Sequence, residues 1–211
     1  MGVISNGTTL LDAGAIDSGI ATGAMTLIKT LTASSSATLS FVDGASSVVL
    51  DSTYDSYVFK FINIHVASAN QHLTWQASTD SGSNYNTACT STAYGAQHNE
   101  GGTFTQLGRS AAEDAAQSTS FIPLATENHA IENDDSYSGT LNFFNPSSTT
   151  FVKHWMLTAA QVNTSGTARY VCREEVAGYF NTTSAIDAVQ FKMTSGNIDS
   201  GQIKLYGIKD S

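Results

Sequence analysis

Five histidines are the first residues in this chain to suggest chemistry: His65, His72, His98, His129 and His154. None stands in an HxH, HxxxH or HExxH spacing, so a zinc site would have to be assembled wholly by the fold. Acidic residues gather at Glu113-Asp114, Glu132 to Asp135 and Glu174-Glu175, and the run Asp80 to Asn84, DSGSN, is rich in side-chain oxygen. Calcium takes such oxygens, but DSGSN has no bidentate acid at the twelfth position of a calcium loop. Solvated loops are the plainer reading of these acids. A carboxylate pair for glycoside hydrolysis is defined by separation in space, and nothing in the spacing marks one. No GxSxG surrounds a serine. Cys89 and Cys172 are far apart and have no CxxC neighbour; a disulfide would need the fold to bring them together, and two buried free thiols are the plainer expectation. No catalytic, metal-binding or cofactor-binding residue is assigned, and the chain is expected not to be an enzyme.

A softer signal comes from aromatic side chains. Tyr94, Phe104, Phe144, Trp155 and Tyr206 are expected at the surface, where they would line a sugar-binding face or a subunit interface. Core packing accounts for most other aromatics in a β-rich chain.

The elements that must hold these residues follow from totals and periodicity. A chain of 211 residues fits one β domain. Only 13% of it is charged, and 18 acids against 9 Lys plus Arg leave a formal charge of −9 without a basic cluster. That argues against a nucleic-acid partner, whose phosphates need neutralising, and against an anionic membrane. No apolar run approaches the roughly 20 residues that span a bilayer, and no cleavable export signal is expected at the N-terminus.

Residues 1–24 carry Val3, Ile4, Leu10, Leu11, Ile16 and Ile20 with no sustained period. A poorly ordered tail and an extended arm that finds its burial on a neighbouring subunit fit them equally from composition, and the arm is the expectation taken forward. Residues 25–211 are expected to form an all-β domain, an antiparallel β-sandwich or jelly roll of roughly nine to eleven strands. In Tyr54 to His65, Tyr57, Phe59 and Phe61 share one parity while Val58, Ile62 and Ile64 share the other, which predicts a central strand apolar on both faces. His72 to Thr79 alternates with Leu73, Trp75 and Ala77 inward. Gly108 to Gln117 is the one patch where a helical turn is expected. Tyr137 to Phe143, the turn Asn145-Pro146-Ser147 and Phe151 to Val162 predict a hairpin, and Ala168 to Phe180 another strand. Val189, Phe191 and Met193, then Ile203 and Leu205, alternate on either side of Ser195-Gly196-Asn197 and predict a closing β-hairpin.

Three stretches carry a family resemblance. Ser52 to His65 with Trp75 to Asn86, WQASTDSGSNYN, resembles a strand leading into a DxGSNY turn. Ser184 to Ile208, ending SGQIKLYGI, resembles a closing SSGNxxSGxIxLYG segment, and NGTTLLDAGAIDSGIATG resembles an opening arm. Together they are similar to the small jelly-roll structural proteins of tailed bacteriophages, particularly those of marine hosts. The resemblance implies a virion component on the particle exterior: a tail fibre, spike, baseplate part or capsid decoration. It implies other virion proteins as partners of the arm and a homo-oligomer, with a trimer favoured. It transfers no catalytic residue. A carbohydrate-binding module for host surface glycans is the other expectation, carried by the five aromatics.

Overall fold

The computed structural model describes residues 25–164 and 168–209 with their side chains, and the backbone alone of Ser165 and of three N-terminal strands, β1 (Val3–Ser5), β2 (Thr8–Asp12) and β3 (Ala15–Ile16). These three pair antiparallel in that order. The side chains of Val3, Ile4, Leu10, Leu11 and Ile16, and all of Ile20, lie outside the described residues, and the expected docking arm with them.

Thirteen strands follow: β4 (Met25–Ser36), β5 (Leu39–Val42), β6 (Ser56–Val66), β7 (Leu73–Ser78), β8 (Cys89–Asn99), β9 (Thr105–Arg109), β10 (Ala115–Ser118), β11 (Ile122–Pro123), β12 (Tyr137–Phe144), β13 (Lys153–Ser165), β14 (Ala168–Phe180), β15 (Ala188–Met193) and β16 (Ile198–Ile208). No helix occurs among the described residues. The patch Gly108 to Gln117 is instead the end of β9, a turn and most of β10, because Asp114 Oδ1 accepts from the Ala93 amide at 2.9 Å and ties it to β8.

Two antiparallel sheets face each other. The larger has nine strands in the order β10-β8-β14-β13-β12-β6-β16-β4, with β9 also on β8, and the smaller is β11-β7-β15-β5. Within them β4-β16-β6-β12 lies against β5-β15-β7-β11. Numbering those eight strands along the chain gives 1-8-3-6 against 2-7-4-5, two interlocked Greek keys, which is the jelly-roll order. The other five strands enter as two insertions, β8 to β10 after β7 and β13 with β14 after β12. They extend the larger sheet beyond the edge of the smaller.

The predicted hairpin over residues 137–162 forms, with β12 and β13 in register from Tyr137 opposite Gln161 to Phe143 opposite Trp155. The predicted closing hairpin does not. β15 pairs with β5 and β7 in the smaller sheet, while β16 pairs with β4 and β6 in the larger. Residues 194–197 therefore arch between sheets, and Phe191 and Leu205 meet the same core from opposite sides. Side-chain alternation is identical for a hairpin and for such an arch.

The two-faced strand is interior to its sheet and buries Val58 on the outer face as expected, but its second half resolves differently. Tyr57, Phe59 and Phe61 are buried, but Asn63 adopts φ +50° and the register of β6 against β16 slips there, so Ile64 and Val66 turn to the interior as well. A β-bulge moves the later apolar residues to the core side and leaves Ile62 exposed. Gly201, opposite the bulge at φ +112°, must lack a side chain: a Cβ would sit 2.4 Å from Asn63 O. All of Leu73 to Ser78 is buried, so β7 is covered outside too; Gln76 Nε2 donates to Ser120 O at 2.8 Å and Thr74 Oγ1 to Lys192 O at 2.8 Å.

Aromatic side chains build the core. Phe191 lies 5.3 Å from Phe59, 5.4 Å from Phe61 and 6.0 Å from Trp75, ring centre to ring centre. Trp75 in turn meets Trp155 and Phe180, each at 5.0 Å, so β7 packs onto β13 and β14 at the start of the extension. Edge-to-face and stacked pairs such as these add about 0.5–1.5 kcal/mol each beyond the area they bury.

Candidate functional site

Along β13, β14 and β8 the inward residues change character in five successive rows. Trp155, Gly178 and Ser91 come first, then Leu157, Val176 and Ala93, then Ala159, Glu174 and Gly95. Gln161, Cys172 and Gln97 follow, with Gln106 of β9 beside Gln97, and Asn163, Tyr170 and Asn99 end the series. The apolar rows lie under β7. The amide rows lie on the overhang, covered in part by the segment between β11 and β12.

A buried polar network fastens that segment. Glu174 is fully buried, and its Oε2 accepts from Thr126 N and Thr126 Oγ1, both at 2.7 Å. Its Oε1 accepts from Gln161 Nε2 at 2.7 Å, and the same amide donates to Glu127 O at 3.0 Å. Gly95 leaves the room: a Cβ there would stand 2.4 Å from Thr126 Oγ1. His129, also buried, accepts from the Leu73 amide on Nε2 at 3.0 Å and donates from Nδ1 to Gln161 Oε1. The Leu73 amide thus fixes a neutral tautomer. Burial holds the His129 imidazole down at about 4 despite the Gln161 contact. Burial also raises the Glu174 carboxyl above its ordinary range, against the hydrogen bonds it accepts. A histidine, an amide and a carboxylate in line resemble catalytic machinery, but both ends are sealed and every polar contact is internal.

Just beyond the network the inner face opens into a cleft of about 440 Å³ lined by Asn70, Gln97, Phe104, Gln106, Glu127, Asn128, Asn163, Thr164 and Tyr170. The Glu127 carboxylate accepts from Gln97 Nε2 and, at 3.4 Å, from Asn163 Nδ2, so two strands hold it at the rim. Phe104 and Tyr170 stand edge to face at 5.5 Å and 89°. Asn99 sets the Phe104 loop: its Oδ1 accepts from the amides of Thr103 at 2.9 Å and Phe104 at 2.8 Å.

The opposite, outer face of the larger sheet carries two uncharged rows across seven strands. One runs Leu27, Tyr206, Val58, Asn142, Met156, Ala177, Thr92; the next holds Met25, Ile208, Ser56, Phe144, His154, Tyr179, Thr90. Leu27 is 51% exposed, Met156 56%, Met25 42% and Phe144 41%. Phe144, His154, Met156, Ala177 and Tyr179 border a shallow apolar groove of about 620 Å³.

The five aromatics singled out from sequence therefore part company. Phe104 lines the inner cleft. Phe144 and Tyr206 lie on the outer rows, Tyr206 with Lys60 Nζ 5.5 Å from its ring centre. Tyr94 is exposed on the outer face near Leu107, Arg173 and Glu175. Trp155 corrects the expectation of a surface residue: it is fully buried against Trp75, since odd positions of β13 face the core.

The candidate metal and acid groups also disperse. Among the described residues no three His, Cys, Asp or Glu converge as a metal site would require. His65 Nδ1 meets Asp199 Oδ2 at 3.2 Å and His72 Nδ1 meets Ala125 O at 3.2 Å. Asp114 pairs with Arg109, and Asp134 and Asp135 with Arg169. Asp80 accepts from Asn84 N and Nδ2 and from Ser78 Oγ within its own turn, and those bonds pull its carboxyl down to about 2. Cys89 and Cys172 are free and buried, and burial pushes both thiols up to about 12. Sequence reasoning missed Tyr170, Gln97, Gln106, Glu127 and Asn163; the signal was the shift from small and apolar to amide at alternate positions of β8 and β13.

Comparison with protein-family models returns no match, and comparisons with curated proteins and with solved structures return none either.

Proposed function

We propose that this chain is a non-enzymatic building block that self-associates through the outer face of its larger sheet and is carried on the exterior of a bacteriophage particle. The observation that carries the self-association is the pair of uncharged rows with Leu27, Met156, Met25 and Phe144 open to water. Apolar side chains open to water at two places on one face, Met25 with Leu27 and Phe144 with Met156, support a contact surface. Its occupant is a second copy. Two chains of formal charge −9 repel wherever their acids meet, and these rows hold no Asp, Glu, Lys or Arg. The jelly-roll order, which serves virus shells as well as lectins, and the resemblance of the Ser52–His65 and Ser184–Ile208 stretches support the particle setting. Residues 1–24 are the segment assigned to neighbouring virion proteins, on the resemblance alone.

Sedimentation equilibrium of the full chain is the test. A stable oligomer is expected, and Phe144→Asp with Met156→Asp is expected to give monomers with an unchanged circular dichroism spectrum. A monomeric parent chain at about 100 μM, where micromolar association would be complete, would remove the reading. Deletion of residues 1–24 is expected to leave a folded domain that no longer enters particles.

A further inference from the structure

The geometry points to a second working surface on the opposite face of the same sheet: we infer that the cleft between Phe104, Tyr170 and Glu127 binds a neutral saccharide. This goes beyond the assembly reading and does not depend on it. The cleft's 440 Å³ falls within the range of small-ligand sites, about 300–1,000 Å³.

Its lining matches the ligand class. Among the described residues the side chains of Asn70, Gln106 and Asn128 hydrogen-bond no other protein group. An amide offers a donor and an acceptor side by side, which answers adjacent hydroxyls on a pyranose. Glu127, held by Gln97 and Asn163, presents acceptors to hydroxyl protons. The Phe104 and Tyr170 rings supply flat apolar surface for the C–H face of a sugar. Among the described residues no Lys or Arg lines the cleft, and Glu127 with the formal charge of −9 repels acidic glycans, so the ligand is uncharged. The cleft is built before any ligand arrives: Asn99 fixes the Phe104 loop and the buried Glu174–Gln161–His129 network fixes the wall bearing Glu127.

Isothermal titration of the full chain against neutral oligosaccharides (cello-, malto-, laminari-, xylo-, galacto- and N-acetylchito-series) tests this, with oligosialic acid as the anionic arm. Binding of at least one neutral series is expected. Phe104→Ala should weaken it at least tenfold and Gln106→Ala at least threefold; both residues are exposed, so neither change threatens the fold. Phe151→Ala, at an exposed loop position outside both surfaces, should leave affinity unchanged. No binding across the neutral series at millimolar sugar, binding that survives both cleft variants, or preference for oligosialic acid would each overturn the inference.

Discussion

The two ends of the larger sheet's inner face are made by the same three strands, yet they are built for different tasks. Where β13, β14 and β8 pass near β7, Trp155, Leu157 and Val176 close a dry core around Trp75. Four rows after Trp155 the same strands present Asn163, Tyr170 and Asn99, with Gln97 one row before and Gln106 of β9 beside it. Between them lies the sealed network of Glu174, Gln161 and His129. The sheet outruns its partner, so its inner face need not be apolar along its whole length. An overhang turns core positions into a concave site.

The sharpest break in that contrast comes at the dry end. Trp155→Ala empties space beside Trp75 and is expected to cost about 3–5 kcal/mol, measured by urea unfolding, whereas Phe104→Ala at the wet end should change stability by less than about 0.5 kcal/mol. Equal losses would erase the distinction between core and cleft. At the boundary, Gln161→Leu deprives both His129 Nδ1–H and Glu174 Oε1 of a partner, and a cost of about 3 kcal/mol is expected from two stranded buried groups. A neutral result would mean that water reaches the network.

The boundary also makes stability depend on pH. His129 has a folded value of about 4 against an ordinary 6.5, so between these the unfolded chain binds the extra proton. Its contribution is complete above pH 6.5 and is lost as pH falls toward 4, by up to about 3 kcal/mol. Glu174 has the opposite sign. Its value is raised, so its share is present below its ordinary 4.5 and fades as pH rises through the folded value. Urea midpoints across pH 4 to 7 should therefore rise with pH, and more steeply in Glu174→Gln, which removes the opposing slope. A flat profile in both proteins would show that His129 is not buried neutral. A smaller effect than at the network is expected from Asn99→Ala: less than about 1.5 kcal/mol of stability for the hydrogen bonds it gives up, with saccharide affinity lowered by the freed Phe104 loop.

Much of this architecture was legible in the sequence. Alternation placed Tyr57, Phe59 and Phe61 inside, and Asn145-Pro146-Ser147 marked a true hairpin. What alternation does not encode is which sheet a strand joins. Val189 to Met193 and Ile203 to Leu205 satisfy the same inward rhythm whether they pair side by side or face each other across the core, as they do. The bulge at Asn63 hid in the same way, making Ile64 and Val66 look like part of the outer face that Val58 does occupy. Of the cleft, only Phe104 was visible beforehand. Gln97, Gln106 and Asn163 sit at inward positions, and an inward amide becomes a binding group only when the opposite sheet stops short. Trp155 was misplaced because a tryptophan announces contact area without saying against what.

The account rests most heavily on the outer face meeting a second copy, and a photo-reactive benzoylphenylalanine at position 156 reads that contact directly. Irradiation of the purified full chain is expected to give covalent oligomers whose cross-links map to the outer rows of another copy, near Leu27, Phe144 or Tyr206. Cross-links confined to the same chain, or reaching the inner cleft of a neighbour, would contradict it.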